Sequence, residues 1–142
     1  MKPCLVDVNV WLALLVPRHT HHREASAWFE RLAPGEAGLC RFVQLGVMRL
    51  LGNRAVMGEE AIAASEAWRI LGGLLEDERV CFVPEPLAVD GFLERQFRYR
   101  VPTRNLISDA YLAAFALSSD RRLVTLDRGF QQFTGLDVVI LG

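Results

Sequence analysis

Short apolar runs alternate with longer amphipathic segments along the whole chain. A short apolar run is typical of a strand buried on both faces, whereas apolar residues three and four positions apart indicate a helix that packs on one side. The short runs predict strands at residues 4–8, 38–40, 79–83, 123–126 and 136–141. The periodic segments predict helices at residues 11–16, 24–32, 42–51, 59–75, 87–97 and 104–117. This alternation predicts a three-layer α/β/α domain with a central parallel sheet.

The length and composition fit one compact, soluble domain over residues 1–142, with 51% hydrophobic and 23% charged residues. A chain of this size buries about two-thirds of its unfolded surface, so we expect it to fold without disulfides or a structural metal. Cys4, Cys40 and Cys81 each lie in a short apolar run, which predicts buried, reduced thiols and a cytoplasmic protein. No apolar stretch approaches the ~20 residues needed to span a bilayer, so we expect no membrane partner.

Two aspartates directly follow predicted strands. Asp7 ends the first apolar run, and Asp127 follows the run at residues 123–126. In an open parallel sheet, functional sites form outside the carboxyl ends of the strands, where the strand order reverses. An aspartate in this position can instead cap the following helix, and for either residue alone both interpretations stay open.

Asp109 lies in a predicted helix that is apolar almost all round. An ionised carboxylate in such surroundings is costly unless it is paired or binds a metal, although the dipole at a helix start also tolerates an acid. Asn105 lies one turn earlier and is predicted to share its face. If Asp7, Asp109 and Asp127 converge, their charges repel, and a divalent cation is the usual remedy. These three are therefore the candidate catalytic and metal-binding residues.

A cation at such a site can polarise a phosphoryl oxygen and lower the pKa of a bound water. The chain contains neither a G-x-x-x-x-G-K loop nor a G-x-G-x-x-G loop, so nucleotide hydrolysis and dinucleotide binding are poorly supported. Hydrolysis of a phosphodiester fits better. The net charge of −1 argues against indiscriminate nucleic-acid binding. Four arginines nevertheless gather ahead of the segment with Asp109, namely Arg95, Arg98, Arg100 and Arg104.

The segments around the three acids resemble the acidic motifs of the PIN domain. They read VDVNV at residues 6–10, SDAYLAA at residues 108–114 and VTLDRGF at residues 124–130. Nearly the whole chain is similar to the VapC-type toxins of bacterial and archaeal toxin–antitoxin pairs. This resemblance implies a Mg²⁺-dependent endoribonuclease, with Mn²⁺ as the other cation, that is inhibited by a cognate VapB-like antitoxin and forms a homodimer.

The same resemblance implies roles for individual residues. Asp7 and Asp109 would be the principal metal ligands, with Asp127 completing the site. Asn9 and Thr125 would be supporting polar residues that orient the carboxylates. For Arg49, three interpretations stay open: a partner of the acidic site, a contact to RNA phosphate, or a residue on the solvent face.

One position departs from the family pattern. The family often carries a glutamate three residues before an arginine, and here Gly46 stands at that position. Gln44 is not a substitute, because residues two apart do not share a helix face. Glycine inside a helix costs ~1 kcal/mol relative to alanine, which is compatible with a need for space beside the site. Glu85 is either a substitute acid or a plain loop glutamate. The alternative function is a catalytically weak PIN-fold module that binds RNA or protein.

Two other groups of residues suggest different chemistry. His19, His21 and His22 raise the possibility of zinc binding, but no cysteine or fourth histidine lies at ligand spacing, which favours a solvated helix start. Trp28 and Trp68 lie at helical core spacing. We expect them to pack or to belong to a dimer or antitoxin surface, rather than to stack on bases.

Overall fold

The computed structural model describes residues 2–98 and 104–142. Its strands form one sheet in which every pairing is parallel, in the order β3-β2-β1-β4-β5. The strands are β1 (Cys4–Val6), β2 (Ala37–Leu39), β3 (Val80–Phe82), β4 (Arg122–Thr125) and β5 (Val138–Ile140). The helices are α1 (Val8–Leu15), α2 (His22–Phe29), α3 (Arg41–Leu51), α4 (Arg54–Met57), α5 (Ala64–Glu76), α6 (Val89–Phe97) and α7 (Leu106–Ser118). The predicted three-layer α/β/α fold is confirmed.

The centre of the sheet is the most deeply buried part of the fold. Leu5 and Val6 on β1 and Leu123 and Val124 on β4 are all fully buried, as continuous apolar strands between two helical layers require. Trp11 fills the space beside β1 and is also fully buried, and its indole N–H donates to the Val6 carbonyl over 3.1 Å. The helix that follows β1 is thus held against the strand by packing and by a hydrogen bond.

The strand order reverses at β1. The chain runs outward from β1 to β2 and β3 on one side, and β4 and β5 then extend the sheet on the other side of β1. The carboxyl ends of β1 and β4 therefore border the switch point, which is where ligands bind in open parallel sheets.

Several helices begin at other residues than the sequence predicts. Helix α1 begins at Val8 rather than at residue 11, because Asp7 caps it. The prediction that a helix begins at residue 59 was wrong. Residues Gly58–Glu60 form a 3-10 turn, Gly58 has a positive φ of 61°, and α5 begins at Ala64. Helices α2 and α7 begin two residues from their predicted starts.

The cysteines behave as structural thiols. All three are free, with Cys4 and Cys40 buried and Cys81 partly buried. Burial raises the pKa of Cys4 to about 11 and also raises the pKa of Cys40, which disfavours the reactive thiolate.

Within residues 2–98 and 104–142, no helix combines the length and the apolar character that crossing a bilayer requires.

Candidate active site

Parallel pairing of β1 with β4 brings the first and last acidic motifs to one edge of the sheet. Val6 pairs with Val124, so the residues that follow these strands leave the sheet side by side. The Asp7 N–H donates to the Val124 carbonyl over 2.9 Å, which extends the ladder by one residue. The edge therefore holds Asp7 next to Thr125 and the start of the loop with Asp127.

The Asp7 carboxylate is buried and held at both oxygens. Its Oδ1 accepts from the Val8 N–H over 2.7 Å, and its Oδ2 accepts from the Thr125 hydroxyl over 2.7 Å. The Asn9 side chain lies beside them: its amide nitrogen contacts the Thr125 hydroxyl at 3.4 Å, and its Oδ1 accepts from the Leu126 N–H over 3.1 Å. The structure thus brings both expected supporting residues, Asn9 and Thr125, into contact with the site.

Asp127 begins the short 3-10 helix at Arg128–Gln132. Its backbone N–H donates to the Thr125 hydroxyl over 3.0 Å, and its Oδ1 accepts from the Gly129 N–H over 2.8 Å. Asp7 and Asp127 are therefore both N-caps, and both lie at the same edge of the sheet, so the capping role does not separate them from a shared acidic site.

Asp109 reaches this edge from α7, on which it is half-buried. Burial is the main cause that raises its pKa to about 6, and the negative charges of Asp127 and then Asp7 add to it. Burial also raises the pKa of Asp7, with a further contribution from Asp127, against the lowering effect of the hydrogen bonds from Thr125 and Val8. The charge of Asp127 thus acts on both Asp7 and Asp109, and the charge of Asp7 acts on Asp109.

A cleft of about 300 Å³ opens beside the carboxylates. One wall belongs to α3 and the other to α7, and Asp7 and Asp109 both line it. Arg49 lies on the α3 wall with an exposed side chain, and it has no ion pair within the part of the chain that the structure describes. The remaining lining residues are Val8, Phe42, Leu45, Gly46, Leu50, Ser108 and Leu112.

Gly46 lines the cleft, and the side chain of Val8 explains why a larger residue does not fit at this position. A Cβ built at Gly46 would lie 2.9 Å from Cγ2 of Val8, which is closer than real Cβ contacts. Val8 is β-branched and stiff, so it cannot move aside easily. The space expected beside the site is therefore taken by Val8, a residue whose importance the sequence reasoning missed although it lies inside the first motif.

Oxygen ligands of this kind suit Mg²⁺ or Mn²⁺ better than softer metals. In residues 2–98 and 104–142, no three His, Cys, Asp or Glu side chains stand together at metal-ligand spacing. Mg²⁺ does not need such a cage, since it keeps several waters and binds through one or two carboxylates together with substrate phosphates. The donor chemistry and the mutual repulsion of Asp7, Asp109 and Asp127 fit an ion of this type.

Asn105 and Glu85, which the sequence places near the acidic motifs, do not line the cleft. Asn105 is the exposed N-cap of α7, its side chain makes no capping hydrogen bond, and only its carbonyl contacts Asp109, by accepting that residue's N–H over 2.9 Å. Glu85 accepts from the Tyr111 hydroxyl over 2.7 Å and is not among the charges that raise the pKa of Asp109. Neither Asn105 nor Glu85 is thus among the residues that line the cleft, and the Glu85 carboxylate is bound to Tyr111.

Gln44 lies away from the cleft, whereas Ser108 lines it. Gln44 is 2% exposed and accepts from the Arg41 guanidinium, and it does not line the cleft, in agreement with its position two residues from Gly46. Ser108 lines the cleft next to Asp109 and was not singled out from the sequence. Its position within the second acidic motif is the signal that could have found it.

Ring nitrogens of His19 and His22 make local contacts, whereas Nδ1 of His21 is buried without a hydrogen-bond partner among the described residues. A ring nitrogen of His22 lies 2.8 Å from the Ala13 carbonyl, and His19 Nδ1 accepts from the His21 N–H over 3.0 Å. His21 lies at the start of α2. These contacts give the zinc alternative no support.

Three of the four arginines ahead of α7 lie within the described residues. Arg95 lies over the Phe92 ring at 4.5 Å, and Arg98 forms an ion pair with Glu94. Arg104 is exposed. Arg100 lies outside the described residues.

Comparison with known proteins identifies relatives along nearly the whole chain. The PIN domain family model matches residues 4–136. The chain is 40% identical over 146 aligned positions to Ribonuclease VapC41 of Mycobacterium tuberculosis, with 96% of this chain and 97% of that protein covered. It is 33% identical to Ribonuclease VapC29 of the same organism, with 96% and 94% covered.

Solved structures with low sequence identity share the fold. One is VapC20 of Mycobacterium tuberculosis, described as a Sarcin-Ricin loop cleaving toxin, with a TM-score of 0.63, 18% identity and 90% and 92% of the two chains covered. Another is VapBC2 from Rickettsia felis bound to a promoter DNA fragment, with a TM-score of 0.66, 10% identity and 97% and 98% covered. The family model and the 40% identity together establish that the chain belongs to the PIN domain family, as one of its VapC-type members.

Proposed function

We propose that this protein is the toxin of a type II toxin–antitoxin pair, an endoribonuclease that hydrolyses RNA phosphodiester bonds with Mg²⁺ and an activated water. The observation that carries the proposal is the group of carboxylates at the switch point, Asp7, Asp109 and Asp127, in which the charge of Asp127 disfavours ionisation of Asp7 and Asp109 beside an open cleft. The names of the relatives, Ribonuclease VapC41 and VapC29, support the same reaction class.

Each carboxylate takes a part in this proposal. Asp7 and Asp109, which both line the cleft, would hold the cation, and Asp127 would complete the site from the loop after β4. When bound, Mg²⁺ or Mn²⁺ polarises a phosphoryl oxygen and lowers the pKa of a bound water. Thr125 and the Val8 N–H fix both oxygens of Asp7, so that its position is set before substrate arrives.

Arg49 supplies a positive charge beside these carboxylates. It lies on the α3 wall of the same cleft as Asp7 and Asp109, exposed and without an ion pair among the described residues. A guanidinium can bind phosphate through two parallel hydrogen bonds. We assign Arg49 to an RNA phosphate at the cleft, where it offsets the repulsion between RNA and the carboxylates.

The partners in this proposal are a VapB-like antitoxin and a second copy of the chain. Structural neighbours include VapBC2 from Rickettsia felis and a toxin-antitoxin complex from Klebsiella pneumoniae, which supports an antitoxin partner here. Phe42 and Leu45 are 41% and 45% exposed at the cleft, so an antitoxin segment would find apolar surface beside the acids.

The test is cleavage of total RNA by purified protein with Mg²⁺ or Mn²⁺. We expect cleavage to disappear in EDTA and to fall at least about a hundredfold in Asp7→Asn and Asp109→Asn, because each variant removes a carboxylate that no neighbour replaces. Glu85→Gln is the matched control, since its carboxylate binds Tyr111 outside the cleft, and it should cleave like the wild type. Cleavage that survives EDTA and both aspartate variants would remove the metal mechanism.

A second candidate is a catalytically weak PIN-fold module that binds RNA or protein. The observation that favours it is Gly46, which places no fourth acid in the cleft and is closed off by Val8. This candidate predicts RNA or protein binding with no cleavage at any concentration of either cation. Binding with Asp109-dependent cleavage would exclude it.

A further inference from the structure

An arginine and two aromatic rings form a separate feature at the carboxyl edge of the sheet. Arg41, the first residue of α3, places its guanidinium 4.9 Å from the ring centre of Phe82 and 5.8 Å from that of Trp68. The guanidinium also donates to the buried Gln44 side chain, which fixes its position. We call Arg41, Trp68 and Phe82 the arginine–aromatic platform.

The platform is exposed, and its charge is not compensated. Trp68 is 53% and Phe82 40% exposed. Of the two alternatives left open for Trp68, packing in the core or a place on a dimer or antitoxin surface, the structure excludes the first. Within the described residues Arg41 has no ion pair. The contrast is Arg79, which lies 4.1 Å over the Phe29 ring and is neutralised by Asp77. Arg41 thus keeps its charge available to an anion.

The strand register places the platform close to the acidic cleft. Phe82 pairs with Leu39, and Leu5 pairs with Gly38, so Phe82 stands level with Val6, two strands away. Strands lie about 4.8 Å apart, which gives a separation on the order of 10 Å. Asp7 follows Val6 directly. The platform and the carboxylates therefore share one edge of the sheet.

Helix α3 connects the two features. Arg41 and Arg49 lie eight residues apart, about 12 Å along the axis, and Phe42 and Leu45 between them line the cleft. A surface along α3 thus begins with a charged aromatic platform and ends with an arginine beside the acids. This is the arrangement of a groove for single-stranded nucleic acid, in which basic residues follow the backbone and rings stack on bases.

We propose that the arginine–aromatic platform binds one nucleotide of a single-stranded RNA segment whose scissile phosphate lies in the acidic cleft. The base stacks on Trp68 and Phe82, and Arg41 binds the adjoining phosphate. The proposal rests on the proposed ribonuclease function and adds a subsite to it. RNA is favoured over a protein partner, because one nucleotide brings both a base that can stack on the exposed rings and a phosphate that can pair with the free guanidinium.

The test is binding without cleavage, with a fluorescently labelled single-stranded RNA dodecamer in EDTA at several salt concentrations. We expect Trp68→Leu to weaken binding about tenfold with an unchanged salt dependence, because it removes stacking and no charge. Arg41→Gln should instead lower the slope of log affinity against log salt by about 0.7, the value for one phosphate contact to a single strand. Trp68 fluorescence should also fall as wild-type protein binds RNA.

Two variants elsewhere on the surface serve as matched controls. Phe97→Leu removes another exposed ring, and Arg23→Gln another exposed arginine, and both should bind RNA like the wild type. Unchanged affinity and salt slope in Trp68→Leu and Arg41→Gln would overturn the proposal. A change from dimer to monomer mass in Trp68→Leu would also overturn it, since the platform would then be a contact between copies.

These outcomes are separable from those of the ribonuclease test. Wild-type protein that binds RNA through the platform and never cleaves it would support the platform and contradict the proposed reaction. Wild-type protein that cleaves RNA, with Trp68→Leu and Arg41→Gln binding and cleaving equally well, would overturn the platform alone.

Discussion

Asp109 destabilises the folded protein at neutral pH when no cation is bound. Its pKa rises from 3.8 to about 6, first through burial and then through the charges of Asp127 and Asp7. The folded state therefore holds this proton more tightly than the unfolded state does. Between pH about 4 and 6 the folded state binds more protons, so the free energy of unfolding falls as the pH rises through this window.

Replacement of Asp109 by asparagine should remove this cost. We expect Asp109→Asn to raise the free energy of unfolding at pH 7 by about 1 kcal/mol, a value discounted because the half-buried carboxylate is partly screened by solvent. The measurement is urea unfolding at pH 4, 5, 6 and 7 without divalent cations, and the variant should lose part of the decline between pH 4 and 6. Glu78→Gln, an exposed carboxylate, is the control. A variant less stable than wild type at pH 7 would contradict this reasoning.

Gly46 and Val8 should behave as a coupled pair. Gly46→Ala gains ~1 kcal/mol of helix propensity but places a methyl 2.9 Å from Cγ2 of Val8. Because overpacking costs about 1–3 kcal/mol, we expect a net loss of about 1 kcal/mol in the wild-type background. In a Val8→Ala background the same substitution should become stabilising by up to ~1 kcal/mol.

A double-mutant cycle by urea unfolding measures this coupling. A coupling energy near zero would mean that the two side chains do not compete for the same space. The same competition for space applies to a glutamate at position 46, the acid that the family often carries there. We therefore expect Gly46→Glu to fold stably only together with Val8→Ala.

At the scale of elements, one hydroxyl joins the two strands that carry the site. The Thr125 hydroxyl donates to Asp7 Oδ2 and accepts from the Asp127 N–H, so β1, β4 and the loop after β4 meet at this atom. Thr125→Val keeps the shape and leaves a buried carboxylate oxygen without its donor. We expect a loss of about 1–3 kcal/mol at pH 7, measured by urea unfolding.

The loss should be smaller at pH 5, because the same substitution favours the protonated form of Asp7, whose pKa burial already raises. Thr125→Ser keeps the hydroxyl and is the control, with less than about 1 kcal/mol of loss. Equal stability of the valine and serine variants would show that the hydroxyl does not hold this junction together.

Helix α5 begins without a capping side chain, which offers a stabilising substitution. Ala63 is its N-cap, with extended φ and ψ of −67° and 154°, and Glu66 stands three residues later. Ala63→Ser therefore creates the S-x-x-E capping box. We expect a gain of about 0.5–1 kcal/mol, or ~3 °C in Tm by thermal unfolding. Ala64→Ser, one position inside the helix, is the control and should not stabilise the protein.

The helices and strands were largely predictable from the sequence, whereas the residues at which they begin and end were not. Buried strands and periodic helices follow from the apolar pattern, because that pattern records which residues the fold buries. The start of α5 depends on the positive φ of Gly58 and on the 3-10 turn after it, and neither leaves a periodic signal. The exposure of Trp68 depends on which face of α5 packs: the buried face runs through Ala67 and Leu71, and Trp68 lies beside it.

At the scale of the whole molecule, the parallel sheet explains why part of the site could be read from the sequence. Asp7 and Asp127 follow strands, so any parallel arrangement with β1 beside β4 brings them to one edge. The approach of Asp109 depends on how α7 packs, and the cleft depends on the α3 wall opposite it. These are tertiary contacts between distant segments, which local patterns do not encode. The failure of Asn105 to reach the cleft has the same origin.

The whole fold should be stabilised by the cation that the acidic edge is proposed to bind. Mutual repulsion raises the free energy of the cation-free native state, and an ion that binds only the native state adds about 1.4 kcal/mol at ten times its Kd. We expect Mg²⁺ or Mn²⁺ to raise the Tm of the wild type by a few degrees, and EDTA to reverse the rise. Asp7→Asn and Asp109→Asn should show no such rise, whereas Glu78→Gln should respond like the wild type. An equal rise in all variants would place the bound cation away from Asp7 and Asp109, because a site that includes them cannot keep its affinity after losing either charge.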